Sequence, residues 1–181
     1  MVAETVVVAV WAMLPAYLPN NAAVLAGGGR PIDGGRSLDD GRRLLGAGKT
    51  WRGTAVGTGA GLLVAVLLNR ARPAAVDLTG VAVPSFTVAA AVGLAFGAML
   101  GDVLASFLKR RTGRERGAAF PGFDQYDFVA GALGLTAVLA TDWFLATFAL
   151  RVLVAVLVLT PLLHVSTNAG AYALGLKDEP W

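Results

Sequence analysis

The chain has no cysteine and a single histidine, His164. The first absence excludes disulfides and thiolate chemistry, and the second leaves no room for a multi-histidine metal centre. Charge is also scarce: Asp, Glu, Lys and Arg make up 15% of the 181 residues, against an apolar share of 56%. Soluble domains carry about 25% charged and about 45–50% apolar residues; mean hydropathy here is +0.65. The apolar residues fall in long blocks, which identifies an integral membrane protein. No internal repeat or low-complexity tract is visible, so residues 1–181 read as one membrane domain.

Five apolar runs predict an all-α, polytopic protein with about five transmembrane helices, over 5–18, 54–68, 85–105, 128–141 and 143–167. A spanning helix needs about 20 residues, with ~17 as a lower bound. The second and fourth runs therefore need flanking residues such as Trp51 and Tyr126. Arg151 interrupts the fifth run, so four spans and a re-entrant piece are the alternative. The first run carries Glu4 where a signal peptide has a basic leader, and no small-x-small site follows it. It reads as a retained helix.

The basic residues set orientation. Arg30, Arg36, Arg42, Arg43, Lys49 and Arg52 lie between spans one and two, and Lys109, Arg110, Arg111, Arg114 and Arg116 between three and four. Arg70 and Arg72 alone mark the connection between two and three. Lys and Arg concentrate in cytoplasmic loops. Loops at about 20–52 and 106–127 are therefore predicted to be cytosolic, with the N-terminus outside and the C-terminus inside. The net charge of +3 and pI near 9.7 follow from this bias, with added attraction to anionic lipid. They do not point to nucleic acid.

Gly53, Gly57 and Gly61 repeat every four residues in the second span, and Gly93, Gly97 and Gly101 do so in the third. Small residues at that spacing let helix backbones approach closely within lipid. Such packing would hold the two cytosolic loops together.

The second loop carries the densest chemistry. Five basic residues fall in the eight positions 109–116, and Asp124 and Asp127 follow at the mouth of the fourth helix. Three apart on a helix, the two carboxylates project from one face, and paired carboxylates are what Mg2+ takes alongside phosphate oxygens. Asp124 as a helix cap is the alternative, which leaves Asp127 without a role. Asp102 ends an apolar helix, either as a solvated end residue or as a functional carboxylate. Lys109, Arg110 and Arg111 suit either interfacial anchoring or phosphate binding.

In the first loop, Asn20 and Asn21 end the first helix, as caps or as donors to a substrate. Glycines then surround Arg42, Arg43, Lys49 and Thr50. Glycine lets phosphate approach backbone N–H groups, and a helix entry is itself an anion site. Gly48-Lys49-Thr50 imitates the end of a nucleotide-binding Walker loop, yet Arg43 stands where its first glycine belongs and no strand precedes it. Asp40-Gly-Arg-Arg43 imitates the start of the CDP-alcohol phosphotransferase motif. No acidic residue lies between Asp40 and Asp77 to complete it. His164, one turn before Asn168, reads as a hydrogen-bonded structural residue.

Gly101, Asp102, Ser106, Lys109, Arg110, Gly113, Pro121, Gly122, Asp124 and Asp127 follow in order the signature that the phosphatidate cytidylyltransferases share. Where that signature has Lys-Asp the chain has Glu115-Arg116, and its His-Gly-Gly is missing, so Asp102 is the first candidate for the absent acid. Pro19-Asn-Asn, Gly27-Gly-Gly-x-Pro-Ile-Asp-x-Gly, Asp40-Gly-Arg-Arg, Gly46-x-Gly-Lys-Thr-Trp-Arg-Gly and the final Glu-Pro-Trp add a narrower match. With them the chain resembles the archaeal CDP-archaeol synthases over nearly its whole length.

The resemblance implies cytidylyl transfer from CTP to an ether-linked lipid phosphate, unsaturated archaetidic acid, with Mg2+ as cofactor and release of pyrophosphate. It implies catalytic roles for Lys109, Arg110, Asp124 and Asp127, and metal binding by Asp102, Asp124 and Asp127. Asn21, Arg42, Arg43, Lys49, Thr50, Ser106 and Arg111 would bind substrate. The rival readings are a CDP-alcohol phosphotransferase-like enzyme, a small membrane transporter and a scaffold that recruits anionic lipid.

Overall fold

A computed structural model describes residues 1–113 and 123–173, apart from the side chains of Phe123, Asp124, His164, Thr167, Asn168, Ala169, Ala171 and Ala173. The elements are α1 (Val2–Tyr17), α2 (Pro19–Ala26), α3 (Trp51–Thr79), α4 (Val88–Arg111), α5 (Phe123–Leu139), α6 (Thr141–Thr147) and α7 (Leu150–Ala173). Among the described residues there is no strand, only two isolated bridges in the first loop. The chain is an all-α, multi-pass membrane protein. Three stretches, Val2–Ala26, Trp51–Thr79 and Val88–Arg111, are long and apolar enough to cross a bilayer.

The five-span expectation is modified at several points. Pro19-Asn20-Asn21 does not end the first helix: Pro19 occupies the first turn of α2, which runs on to Ala26. Proline fits there because its missing N–H would be unpaired in any case. The first loop therefore starts at about residue 27, not 20. The second span is not short, because α3 continues past Leu68 through Asn69, Arg70 and Pro73 to a left-handed Gly80. The fifth run is not one straight helix; α6 and α7 meet at 80°, with Arg151 in the first turn after the bend. α5 is a shorter apolar helix. The second loop contracts as well, since residues 106–111 belong to α4 and 123–127 to α5.

α4 is the centre of the bundle and packs most extensively against α5. Glycine makes that possible. A β-carbon on Gly97 would lie 2.6 Å from the Gly131 carbonyl oxygen and 2.8 Å from Ala132 Cα, and one on Gly93 would meet Thr136. The stripe on α3 works the same way: a β-carbon on Gly57 would strike Met99 Sδ and the Pro19 carbonyl at 2.6 and 2.7 Å. Both predicted stripes are close-approach seams of the kind small residues allow in lipid. The core between them is rich in alanine, with Ala12, Ala16, Ala90, Ala95, Ala98 and Ala132 buried around Met13 and Leu94.

Candidate active site

The first loop is organised by a carboxylate. Asp33 is buried and accepts hydrogen bonds from Arg43 Nη2 at 2.7 Å, Gly35 N at 2.9 Å and Leu45 N at 3.1 Å. Burial works against its ionisation. The hydrogen bonds from Arg43 and the two backbone N–H groups, with the Arg43 charge, outweigh burial and hold the carboxyl below its ordinary value. A loop with three donors converging on one buried carboxylate has a defined shape.

That loop is fastened to the end of α4. Arg111 Nη1 donates to Asp40 Oδ2 at 2.9 Å, and its Nη2 donates to the carbonyls of Arg43 and Arg42 at 2.7 and 3.3 Å. Arg42 Nη1 returns a bond to the Arg111 carbonyl at 3.2 Å. Arg42, Arg43 and Arg111, expected to bind substrate, are thus engaged with the protein itself. Ser106 is buried on the α4 side of this junction; a β-carbon on Gly46 would come 3.5 Å from its hydroxyl oxygen and 4.0 Å from Arg110 Nη2.

The fastened loop delivers Lys49. Its backbone N donates to Gly46 O at 3.0 Å and its carbonyl accepts from Ile32 N at 2.9 Å, while its ammonium reaches Asp102 Oδ2 at 2.5 Å. The next residue, Thr50, caps α3 by accepting from Gly53 N at 3.0 Å. Gly101 brings Asp102 toward α5, because its Cα side abuts the Asp127 carbonyl with no room for a β-carbon. The half-buried Asp127 accepts from Phe128 N at 2.5 Å, and its carboxyl lies within electrostatic reach of Asp102, Lys49 and Lys109.

These groups open onto one cleft of about 640 Å3. Asn20, Asn21, Lys49, Asp102, Lys109 and Asp127 contribute charged and polar lining, and Val10, Leu14, Val24, Met99, Val103 and Leu163 apolar lining. Of the expected site residues, Asn21, Lys49, Thr50, Asp102, Lys109 and Asp127 line it, whereas Arg42, Arg43, Ser106, Arg110 and Arg111 do not. Neither asparagine caps α2 through its side chain. Asp124 lies one turn before Asp127 on α5; its side chain, like that of His164, is outside the described residues, as are Arg114, Glu115, Arg116, Pro121 and Gly122. Among the described residues no group of three His, Cys, Asp or Glu forms a metal site. Asp102 and Asp127 nevertheless bring two hard-oxygen donors to one wall, a set that suits a divalent cation.

Three residues of the site were not singled out for roles from the sequence. Asp33 shapes the loop, and the one available signal was its place in Pro31-Ile32-Asp33. Asn20, beside the selected Asn21, lines the cleft with a buried amide oxygen that has no hydrogen-bond partner. Tyr17 also lines it and bonds Thr160 Oγ1 at 3.0 Å, a contact between distant helices that nothing local announces.

The comparisons with known proteins agree with this arrangement. The family described as "CarS-like: CDP-archaeol synthase" matches residues 2–181. A CDP-archaeol synthase of Natronomonas pharaonis is 69% identical, covering 100% of both chains. One from Halobacterium salinarum is 72% identical over 98% of this chain and 97% of its own, and one from Methanosphaerula palustris is 51% identical over 93% and 100%. A solved structure described as an intramembrane enzyme for archaeal membrane lipids biosynthesis superposes with a TM-score of 0.73 at 40% identity, covering 88% of this chain and 92% of its own. With a family match over almost every residue, relatives near 70% identity and a shared membrane fold, the chain belongs to the CDP-archaeol synthase family.

Proposed function

We propose that the protein transfers cytidylyl from CTP to unsaturated archaetidic acid, an ether-linked glycerol-phosphate lipid, giving CDP-archaeol and pyrophosphate. The observation that carries this reading is the single cleft in which Lys49, Asp102, Lys109 and Asp127 meet an apolar wall. Charged groups there suit a triphosphate and a phosphate headgroup, and the apolar residues suit a lipid body. A transporter or a CDP-alcohol phosphotransferase is not favoured by a chain that belongs to this family over its full length.

In the reaction a phosphate oxygen of the lipid attacks the α-phosphorus of CTP. A bond forms there, the bond to the bridging oxygen of the β-phosphate breaks, and pyrophosphate leaves. The lipid phosphate is already anionic at neutral pH and needs no general base. The barrier lies in bringing two anions together in line, so catalysis rests on alignment and charge neutralisation. Lys109 and Lys49 neutralise the reacting phosphates, with Arg110 beside Lys109 on α4. Asn20 and Asn21 offer unspent amides at the opposite wall.

Asp102 and Asp127, with Asp124 as a third candidate, would hold Mg2+. The fit rests on two carboxylates in one half-buried wall and on an ammonium that already lies on Asp102 as a cation must. When bound, Mg2+ supplies charge neutralisation at the triphosphate oxygens. The whole chain acts as one membrane domain, with the cleft facing the cytosol, where CTP is available.

The test is the purified protein with lipid phosphate, Mg2+ and each of the four nucleoside triphosphates in turn. Pyrophosphate is expected with CTP alone. Equal release from the other nucleotides, or none with CTP, refutes the reading.

A further inference from the structure

The cleft holds two carboxylates and, on one of them, a lysine ammonium. Lys49 Nζ and Asp102 Oδ2 are 2.5 Å apart, and only 26% and 23% of their side chains are exposed. Asp127 stands within electrostatic reach of both. Two carboxylates sharing a half-buried wall repel each other unless a cation sits between or upon them. In the ligand-free protein that cation is Lys49.

We propose that Lys49 is the resident counter-cation of the metal site. Its ammonium stands on Asp102 in place of the divalent cation and passes to the substrate phosphates when that cation arrives. The inference rests on the reading that Asp102 and Asp127 hold the metal. Two further features support it. The Lys49 backbone is pinned on both sides, through Gly46 O and Ile32 N, while the ammonium rides on a flexible four-carbon stem. It can therefore change partner without the loop letting go. A divalent cation and an ammonium on one carboxylate also repel each other strongly at low effective dielectric, so the two occupy Asp102 in turn. The exchange keeps the site neutralised before loading. It also frees a cation for phosphate at the moment the metal and the triphosphate enter together.

The experiment titrates Mn2+ into the full-length protein in detergent without nucleotide and reads free Mn2+ by electron paramagnetic resonance. Lys49→Met should bind Mn2+ about tenfold or more tightly than the wild type, a change of about 1.4 kcal/mol. Lys109→Met, which removes another cation from the same cleft, should change the affinity by no more than about threefold on the same logarithmic scale. The gain should vanish in Lys49→Met combined with Asp102→Asn. A second titration adds a non-hydrolysable CTP analogue, with which the wild type should bind Mn2+ well.

Unchanged or weaker Mn2+ binding by Lys49→Met, while the wild type binds it with the analogue, overturns the exchange. So does equal tightening in Lys109→Met, which means simple charge repulsion. If the wild type fails to hold Mn2+ even with the analogue, or Asp102→Asn holds it as well as the wild type, the metal assignment itself falls. Lys49→Gln, which keeps a polar side chain on Asp102 and removes the charge, makes the same measurement should Lys49→Met fail to fold.

Discussion

Asp102 and Lys49 are 53 positions apart in the chain and 2.5 Å apart in space, and most of the site's logic lies in that pair and its neighbour Asp127. Asparagine at 127 keeps the size and removes the charge. Asp127→Asn should lower turnover at least ~100-fold, the scale of losing one transition-state contact of about 2.7–4 kcal/mol. Purified enzyme at saturating Mg2+ and CTP is the measurement, and near-normal turnover would remove Asp127 from the site. Asp33 acts differently, through loop shape. Its carboxyl is held below the ordinary value, so its stabilising contribution is complete above the unfolded value of about 3.9. That contribution is lost as pH falls through the lower folded value. Asp33→Asn should destabilise the loop by about 1.5–3 kcal/mol, the range for hydrogen bonds to a charged group. Limited proteolysis should then cleave within 27–50 at neutral pH, whereas the wild-type loop becomes sensitive only in acid.

At the scale of helices, glycine decides how closely α4 approaches α5. Gly97→Ala places a β-carbon 2.6 Å from the Gly131 carbonyl oxygen, against backbone that cannot rotate away. Overpacking of this kind costs about 1–3 kcal/mol, and the helices must part at the level where Asp102 and Asp127 face each other. Thermal stability and activity should therefore fall together. Gly134→Ala, with nothing within 4 Å of its β-carbon, should leave both within error of the wild type. The stripes themselves were legible from spacing alone, because a period of four on an apolar helix has one physical use in lipid. Their partners were not, since one sequence carries no record of which helix lies opposite. Apolar runs likewise located the helices but misjudged their ends. Asn69 and Arg72 interrupt hydropathy in α3 because they are spent on the carbonyls of Phe86 and Val83, not because the helix stops. Pro19 looked like a terminator and is an initiator, as the same fixed φ serves both. The Lys49–Asp102 pair and the Asp33 hub depend on loop closure over long separations, which motif spacing indicates only as neighbouring functions.

For the whole molecule, the clasp between Arg111 and Asp40 constrains topology more firmly than charge counting does. It ties the first loop to the end of α4, so the two basic segments must share one side of the membrane whichever side that is. α3 then carries the chain away. Trp51 to Asp77 spans about 39 Å at 1.5 Å per residue, more than the roughly 30 Å hydrocarbon core, so Asp77 emerges on the opposite side. The Lys and Arg asymmetry assigns the clasped side to the cytosol. Because the chain has no cysteine, single cysteines at Ser37, Thr112 and Asp77 report without background, and all three positions are exposed. A membrane-impermeant thiol reagent added to whole cells should label position 77 and leave 37 and 112 unlabelled until the cells are opened. Labelling of 37 and 112 from outside, with 77 protected, would invert the molecule and put its cleft out of reach of CTP. Labelling of only one of the clasped positions would break the Arg111–Asp40 junction, and with it the route by which the first loop delivers Lys49 to Asp102.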